Sequence, residues 1–181
     1  MSSANLGKEE PVIEADELLC SGRRVKLYRR TLIMEGRRVH KDLVSFGESV
    51  VVLPLLDDGK AVFVKQWRAP LGRWIIELPA GRIEKGEDPK ETALRELEEE
   101  TGYLAESIER VSSAYVSPGY SDELMHMFIA RGLKEGEPRP EKGELLRVAI
   151  MRPEDYLTDP NGPKDMKSIA LLLLYLSSKV A

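Results

Sequence analysis

GRIEKGEDPKETALRELEEETGY, residues 81–103, is the stretch from which the rest of this 181-residue chain can be read. In it Gly81, Glu87, Arg95, Glu96, Glu99, Glu100 and Gly102 follow the pattern G-x5-E-x7-R-E-aliphatic-x-E-E-x-G, with Leu97 as the aliphatic residue. At background frequencies of roughly 6–7% per residue type, seven such positions coincide by chance in about one chain in a hundred thousand or fewer. Asp88 suits an N-cap, Pro89 the first helical position and Glu91 the third, completing a capping box, and Gly102 suits a helix stop. Between them, Glu96, Glu99 and Glu100 share one helical face, because positions i, i+3 and i+4 lie side by side. Ala93, Leu94, Leu97 and Thr101 form the adjacent face, able to pack on a sheet.

Three carboxylates within about 6 Å repel one another by roughly 3 kcal/mol per pair at an effective dielectric near 20. A divalent cation removes that cost. Hard oxygen donors favour Mg²⁺ or Mn²⁺, and the chain has no Cys-His cluster to suggest zinc. Mg²⁺ keeps several waters and binds through few carboxylates plus substrate phosphates, so this face suits phosphate-ester chemistry.

Composition bounds the rest. A chain of this length with 42% hydrophobic residues makes one domain with room for a small appendage. Net charge is −4, and no basic stretch marks a nucleic-acid footprint. Cys20 is the single cysteine, which fits a reducing cytoplasm. The longest apolar run, Ile169 to Leu176, is too short to span a bilayer, and the N-terminus does not read as a signal peptide. One Gln, two Asn and 32% charged residues lean toward a thermophilic source.

Along the chain, 1–11 reads as a frayed polar end and Val25–Phe46 as a hairpin turning at Glu35-Gly36. Ser49–Leu56 and Lys60–Trp67 read as a second hairpin around Asp57-Asp58-Gly59. Further strands are expected at Ile108–Tyr115, Leu124–Ala130 and Leu145–Met151. A short helix is expected from Pro153 and a longer one over Asp165–Ser178, packing through Ile169, Leu172, Leu173 and Leu176. The expected class is α/β, a layered fold with a mixed β-sheet flanked by helices, plus a small N-terminal antiparallel sheet. The expected boundary divides 1–46 from 47–181.

The 81–103 pattern resembles the signature of the Nudix hydrolases. Outside it, Pro118 stands sixteen residues after Gly102, and Gln66-Trp67-Arg68, Glu77-Leu78-Pro79-Ala80-Gly81 and Asp165-Met166-Lys167-Ser168 resemble the ADP-ribose pyrophosphatase branch of that family, from about His40 to Leu176. Tyr103 replaces the usual aliphatic residue, as it does within that branch. The resemblance implies hydrolysis of ADP-ribose to AMP and ribose 5-phosphate, with metal held by Glu96, Glu99, Glu100 and the Ala80 carbonyl. It also implies a homodimer in which the N-terminal sheet crosses to the partner and helps build the adenine site. Other nucleoside diphosphate derivatives (NADH, diadenosine polyphosphates, nucleotide sugars) are the alternative substrates. A non-catalytic ADP-ribose sensor is the alternative class, disfavoured because such modules lose the glutamates kept here.

A pyrophosphate needs its charge neutralised before a nucleophile can approach, and Arg68 is the candidate guanidinium, with Glu77 a further candidate for substrate binding. Arg95 reads as the residue that holds a glutamate in place, and Glu87 as one that orients the helix or a metal water. The general base in this branch comes from a loop before a late strand. By spacing that is Glu144, with Glu141 second; Gly136, Pro138, Pro140 and Gly143 make the segment flexible. Pro118 and Gly119 are candidates to press on the terminal ribose, and Ser121 and Glu123 to meet its hydroxyls. Tyr28, Trp67 and Trp74 are candidate adenine platforms. His40 and His126 show no partner spacing and read as structural.

Overall fold

The computed structural model describes residues 10–140, 143–162 and 164–179, which fall into two compact units. The first comprises residues 10–47 together with Tyr115–Glu123. Its strands β1 (Val12–Ser21), β2 (Lys26–Met34) and β3 (Arg37–Ser45) form an antiparallel sheet in the order β1-β2-β3. The Glu35-Gly36 turn joins β2 to β3 as expected, whereas β1 is an addition to the sequence reading. β1 escapes sequence reading because Glu14, Asp16 and Glu17 leave no clean apolar alternation. Those acids instead pair across strands, Asp16 with Arg30 at 2.8 Å through two bonds, Glu14 with Arg38 and Glu17 with Arg29. Tyr115–Glu123 belongs to this unit through backbone pairing: the Val44 N–H donates to the Tyr120 carbonyl at 2.7 Å. The Asp122 carboxylate accepts from the Phe46 and Gly47 N–H groups.

The second unit holds the remaining elements: β4 (Glu48–Pro54), β5 (Ala61–Arg68), β6 (Arg73–Glu77), β7 (Ala80–Arg82), α1 (Pro89–Thr101), β8 (Leu104–Tyr115), β9 (Leu124–Lys134), β10 (Leu146–Met151), α2 (Pro153–Thr158) and α3 (Met166–Ser178). They form a sheet ordered β10-β5-β6 and a mixed sheet ordered β7-β4-β9-β8, in which β4 runs parallel to β9 and antiparallel to β7. β4 carries the central apolar run, and its side chains alternate between two cores. Val51 and Leu53 join Phe63, Leu78, Tyr156, Leu171, Leu172 and Tyr175 on the α2–α3 side. Val50 and Val52 join Val62, Ala93, Leu97, Tyr103 and Phe128 on the α1 side. Helices on both faces of β4 explain why it is apolar at successive positions from Val50 to Leu53 rather than at alternate ones. The layered α/β arrangement is the one the sequence pointed to.

Two local expectations differ. The Asp57-Asp58-Gly59 turn forms, with Leu56 N–H bonded to the Lys60 carbonyl, but the β-pairing beside it among the described residues is the isolated bridge Leu55–Ala61, and β4 and β5 belong to different sheets. A turn signal is local, while β4 finds its ladder partner in β9, some seventy residues on in the chain. In α3 the inward residues are Ser168, Leu171, Leu172 and Tyr175, with Ile169 and Leu176 only partly covered and Leu173 exposed. A run apolar on every side leaves its inward face to be set by what it packs against.

Candidate active site

α1 begins and ends as its sequence dictates. Asp88 accepts from the Lys90 N–H at 2.8 Å, Pro89 opens the first turn, and Gly102 closes the helix at φ 79°, its N–H bonded to the Glu98 carbonyl. A Cβ on Gly102 would also stand 2.6 Å from the Gly136 carbonyl, so the segment that leads toward the expected base passes directly over the helix end. Arg139 N–H donates to the Glu99 carbonyl at 2.8 Å and secures it there.

With Ala93 and Leu97 packed into the core, the carboxylate face turns to the strand end at Ala80-Gly81. Glu100 is 3% exposed, and one of its oxygens accepts from the Ala80 N–H at 3.0 Å. Glu96 lies so close to the backbone of Gly81 that a Cβ there would fall 1.9 Å from its Oε1, which is why the pattern has glycine at this place. Arg95 latches the face from outside. It donates to Glu87 through Nε (2.9 Å) and Nη2 (3.2 Å), and through Nη1 to Glu96 (2.8 Å) and Glu99 (3.0 Å). Its guanidinium holds the Glu87 carboxyl down to about 2.

Electrostatics separate these acids. Burial, with repulsion from Glu99 and Glu144, pushes the Glu96 carboxyl up to about 7 despite Arg95. Burial and repulsion from Glu96 and Glu144 push Glu100 up to about 8 against the Ala80 N–H and Arg68. Glu144 therefore lies within electrostatic reach of both acids, and Arg68 within reach of Glu100. Arg68 itself is held side-on by Glu77, Nε to Oε1 at 2.7 Å and Nη2 to Oε2 at 2.8 Å.

Among the described residues no three acidic, histidine or cysteine groups stand as a preformed metal cluster. The donor set nonetheless fits a hard divalent cation: the Glu96, Glu99 and Glu100 carboxylates offer only oxygen, Glu100 lies against the Ala80 backbone, and two of the acids are buried among other carboxylates.

The second unit thus brings together Ala80, Glu96, Glu99, Glu100, Glu144, Arg68 and Glu77. Tyr28, Pro118, Gly119, Ser121 and Glu123 belong to the first unit. Glu141 lies outside the described residues. Trp67 and Trp74 meet edge to face at 5.9 Å, with Arg147 over Trp74. His40 faces Thr31 across β2–β3 at 3.2 Å. Sequence reasoning missed the partners of His126, which lies between Ser113 (2.8 Å) and Glu48 (2.7 Å). It also missed the contacts of Lys167 with Glu77 and of Ser168 with Leu78. The signal for these was the Asp165-to-Ser168 motif alone, which showed a helix start and not what lay against it.

Buried carboxylates with oxygen-only donors at a strand end suit a hard divalent cation. The Nudix domain model matches residues 45–172, and the chain belongs to the Nudix family, whose members generally use a divalent metal. An ADP-ribose pyrophosphatase of Bacillus subtilis (strain 168) is 43% identical over 144 residues, 79% of this chain and 77% of that one. A methanol dehydrogenase activator of Bacillus methanolicus is 43% identical over 130 residues, 71% and 70% of the two chains. An ADP-sugar pyrophosphatase of Mus musculus is 32% identical over 166 residues, 81% and 76%. A crystal structure of an ADP compounds hydrolase shares the fold at a TM-score of 0.83 and 21% identity, over 98% of this chain and 96% of that one.

Proposed function

We propose that this protein hydrolyses the pyrophosphate bond of ADP-ribose to AMP and ribose 5-phosphate, using Mg²⁺, with Mn²⁺ as a substitute. The observation that carries the chemistry is the buried Glu96–Glu100 pair, set among other carboxylates and against the Ala80-Gly81 backbone, with Arg95 and the Ala80 N–H donating to it. The substrate follows from the Bacillus subtilis relative, similar over most of both chains. Glu96, Glu99, Glu100 and the Ala80 carbonyl would hold the metal, which when bound neutralises phosphate charge and lowers the pKa of its waters.

The other steps fall to side chains. Glu144, with Glu141 as the other candidate, takes a proton from the attacking water as its oxygen bonds to phosphorus and the bridging P–O bond breaks. Arg68 donates to the phosphate oxygens through the N–H groups that Glu77 leaves uncommitted. Contacts of Tyr28, Pro118, Gly119, Ser121 and Glu123 with the nucleoside and ribose rest on family resemblance, and KM in their variants tests them. The same reading takes the protein as a cytoplasmic homodimer of thermophilic origin. Exposed Val12, Ile13 and Leu18 on β1 support an interface, and the single cysteine and amide-poor composition support the setting. No helix among the described residues is long and apolar enough to cross a membrane.

A nucleotide sugar is the second substrate reading, favoured by the mouse relative. AMP release from ADP-ribose with Mg²⁺, abolished by EDTA and compared with NADH, a diadenosine polyphosphate and ADP-glucose, tests both. Preference for another compound overturns the substrate, and absence of metal-dependent turnover on all of them overturns the activity. Glu144→Gln should slow turnover by about 10²- to 10⁴-fold; a loss of only a few-fold with metal binding intact would remove Glu144 as the base.

A further inference from the structure

Asp165-Met166-Lys167-Ser168 takes no part in the chemistry above, yet it is where α3 meets the strand end that carries Glu77. Asp165 caps the helix, its Oδ1 accepting from the Ser168 N–H at 3.0 Å, and its Oδ2 lies 3.1 Å from the Tyr156 hydroxyl. Ser168 Oγ accepts the Leu78 N–H at 2.8 Å. Lys167 donates to Asp165 Oδ1 at 3.0 Å and to Glu77 Oε2, the same oxygen that takes Nη2 of Arg68. Glu77 is 1% exposed and Lys167 15%, so water screens this contact poorly.

Lys167 bridges the two buried acids, pairing with Asp165 as well as with Glu77, while Asp165 also takes the Ser168 N–H and lies against the Tyr156 hydroxyl. Glu77 is thereby held from one side by Lys167 and from the other by Arg68. Arg68 has five N–H donors and spends two on Glu77.

We propose that Lys167 is a positioning residue of the hydrolytic site: by fixing the Glu77 carboxylate it sets the orientation of Arg68, whose remaining N–H groups are left for a substrate phosphate, and it pins the strand end from which Leu78-Pro79-Ala80 reaches Glu100. The phosphate in this statement rests on the pyrophosphatase reading, while the contacts do not.

Inorganic pyrophosphate at fixed free Mg²⁺, titrated calorimetrically into wild type, Lys167→Met and Lys167→Arg, is the test, with kcat and KM measured alongside. Removing a buried charged donor should weaken pyrophosphate binding by about 30-fold and raise KM by a similar factor. Lys167→Arg, which keeps the charge, should return both to within a few-fold. A role in stability alone would lower the melting midpoint without moving the affinity of the folded protein. Lys167→Met binding within threefold of wild type overturns the proposal, as does failure of Lys167→Arg to restore binding, or wild type that does not bind pyrophosphate. If Lys167→Met does not fold, Lys167→Gln decides by the same criteria. Wild type that binds pyrophosphate but releases no AMP from ADP-ribose overturns the substrate reading only, and Lys167 is then judged on affinity.

Discussion

Glu77 and Asp165 are as deeply enclosed as Glu100 and Glu96, at 1% and 14% side-chain exposure against 3% for the Glu100 residue and 14% for the Glu96 side chain, yet their surroundings are opposite in sign. The first two lie among Arg68, Lys167, a helix N-terminus and hydroxyl donors. Burial works to raise the Asp165 carboxyl, but Lys167 and the Ser168 donors outweigh it and hold it below the usual range. Glu96 and Glu100 lie among other carboxylates, with Arg95 and one N–H as the nearest relief, and both rise. Burial depth therefore does not separate a structural acid from a functional one. The local charge balance is what differs: Glu77 and Asp165 are met by cations and polar donors, whereas Glu96 and Glu100 face other carboxylates, the setting in which a hard cation would be favoured.

Glu100→Gln should show the contrast most strongly. Turnover should fall by about 10³-fold, since a metal held by these acids supplies several kcal/mol of charge stabilisation at about 1.4 kcal/mol per decade. At pH 9, where Glu100 is ionised, the melting midpoint of the metal-free protein should stay level or rise, because a buried charge with too little countercharge has been removed. A midpoint lower by several degrees would mean that Glu100 is as well compensated as Glu77.

Titration comes next in size. Glu96 and Glu100, raised from 4.5 to about 7 and about 8, bind protons in the folded state that the unfolded chain has released. Their contribution to stability is complete below about pH 4.5 and is lost as pH rises through 7 and 8. Metal-free protein should thus lose on the order of 3 kcal/mol between pH 6 and 9, and Mg²⁺ should raise the midpoint more at pH 9 than at pH 6. Equal increments at both pH values would count against buried, protonatable ligands. Asp165 has the reverse sign: its contribution is present above its usual value near 3.8 and is lost as pH falls through its lowered folded value.

Ser168→Ala is the smallest change. It leaves the buried Leu78 N–H without its acceptor and should cost about 1–3 kcal/mol in denaturant unfolding. A cost below about 0.5 kcal/mol would show that Ser168 does not hold the turn.

The α1 helix was legible to its caps because capping, termination and the i, i+3, i+4 relation are set within about one turn of chain. The residue that latches it was legible too, since Arg95 adjoins Glu96. What escaped depended on strand register or on distant segments. Val50 pairs with His126 across β4–β9, which brings Glu48 within reach of that histidine, and no spacing along the chain contains that register. Lys167 and Glu77 are ninety residues apart in sequence. The inward face of α3 and the parting of β4 from β5 were hidden for the same reason: competing local solutions are equal until a partner surface chooses.

The sequence by itself determined where the acidic helix starts, where it stops and that three of its carboxylates share a face, because those depend on chain geometry alone. Only the tertiary structure decided which acids are left short of charge and which are answered by Arg68 and Lys167. Burial and counterion supply belong to everything packed around a side chain and are not written in its neighbours along the chain.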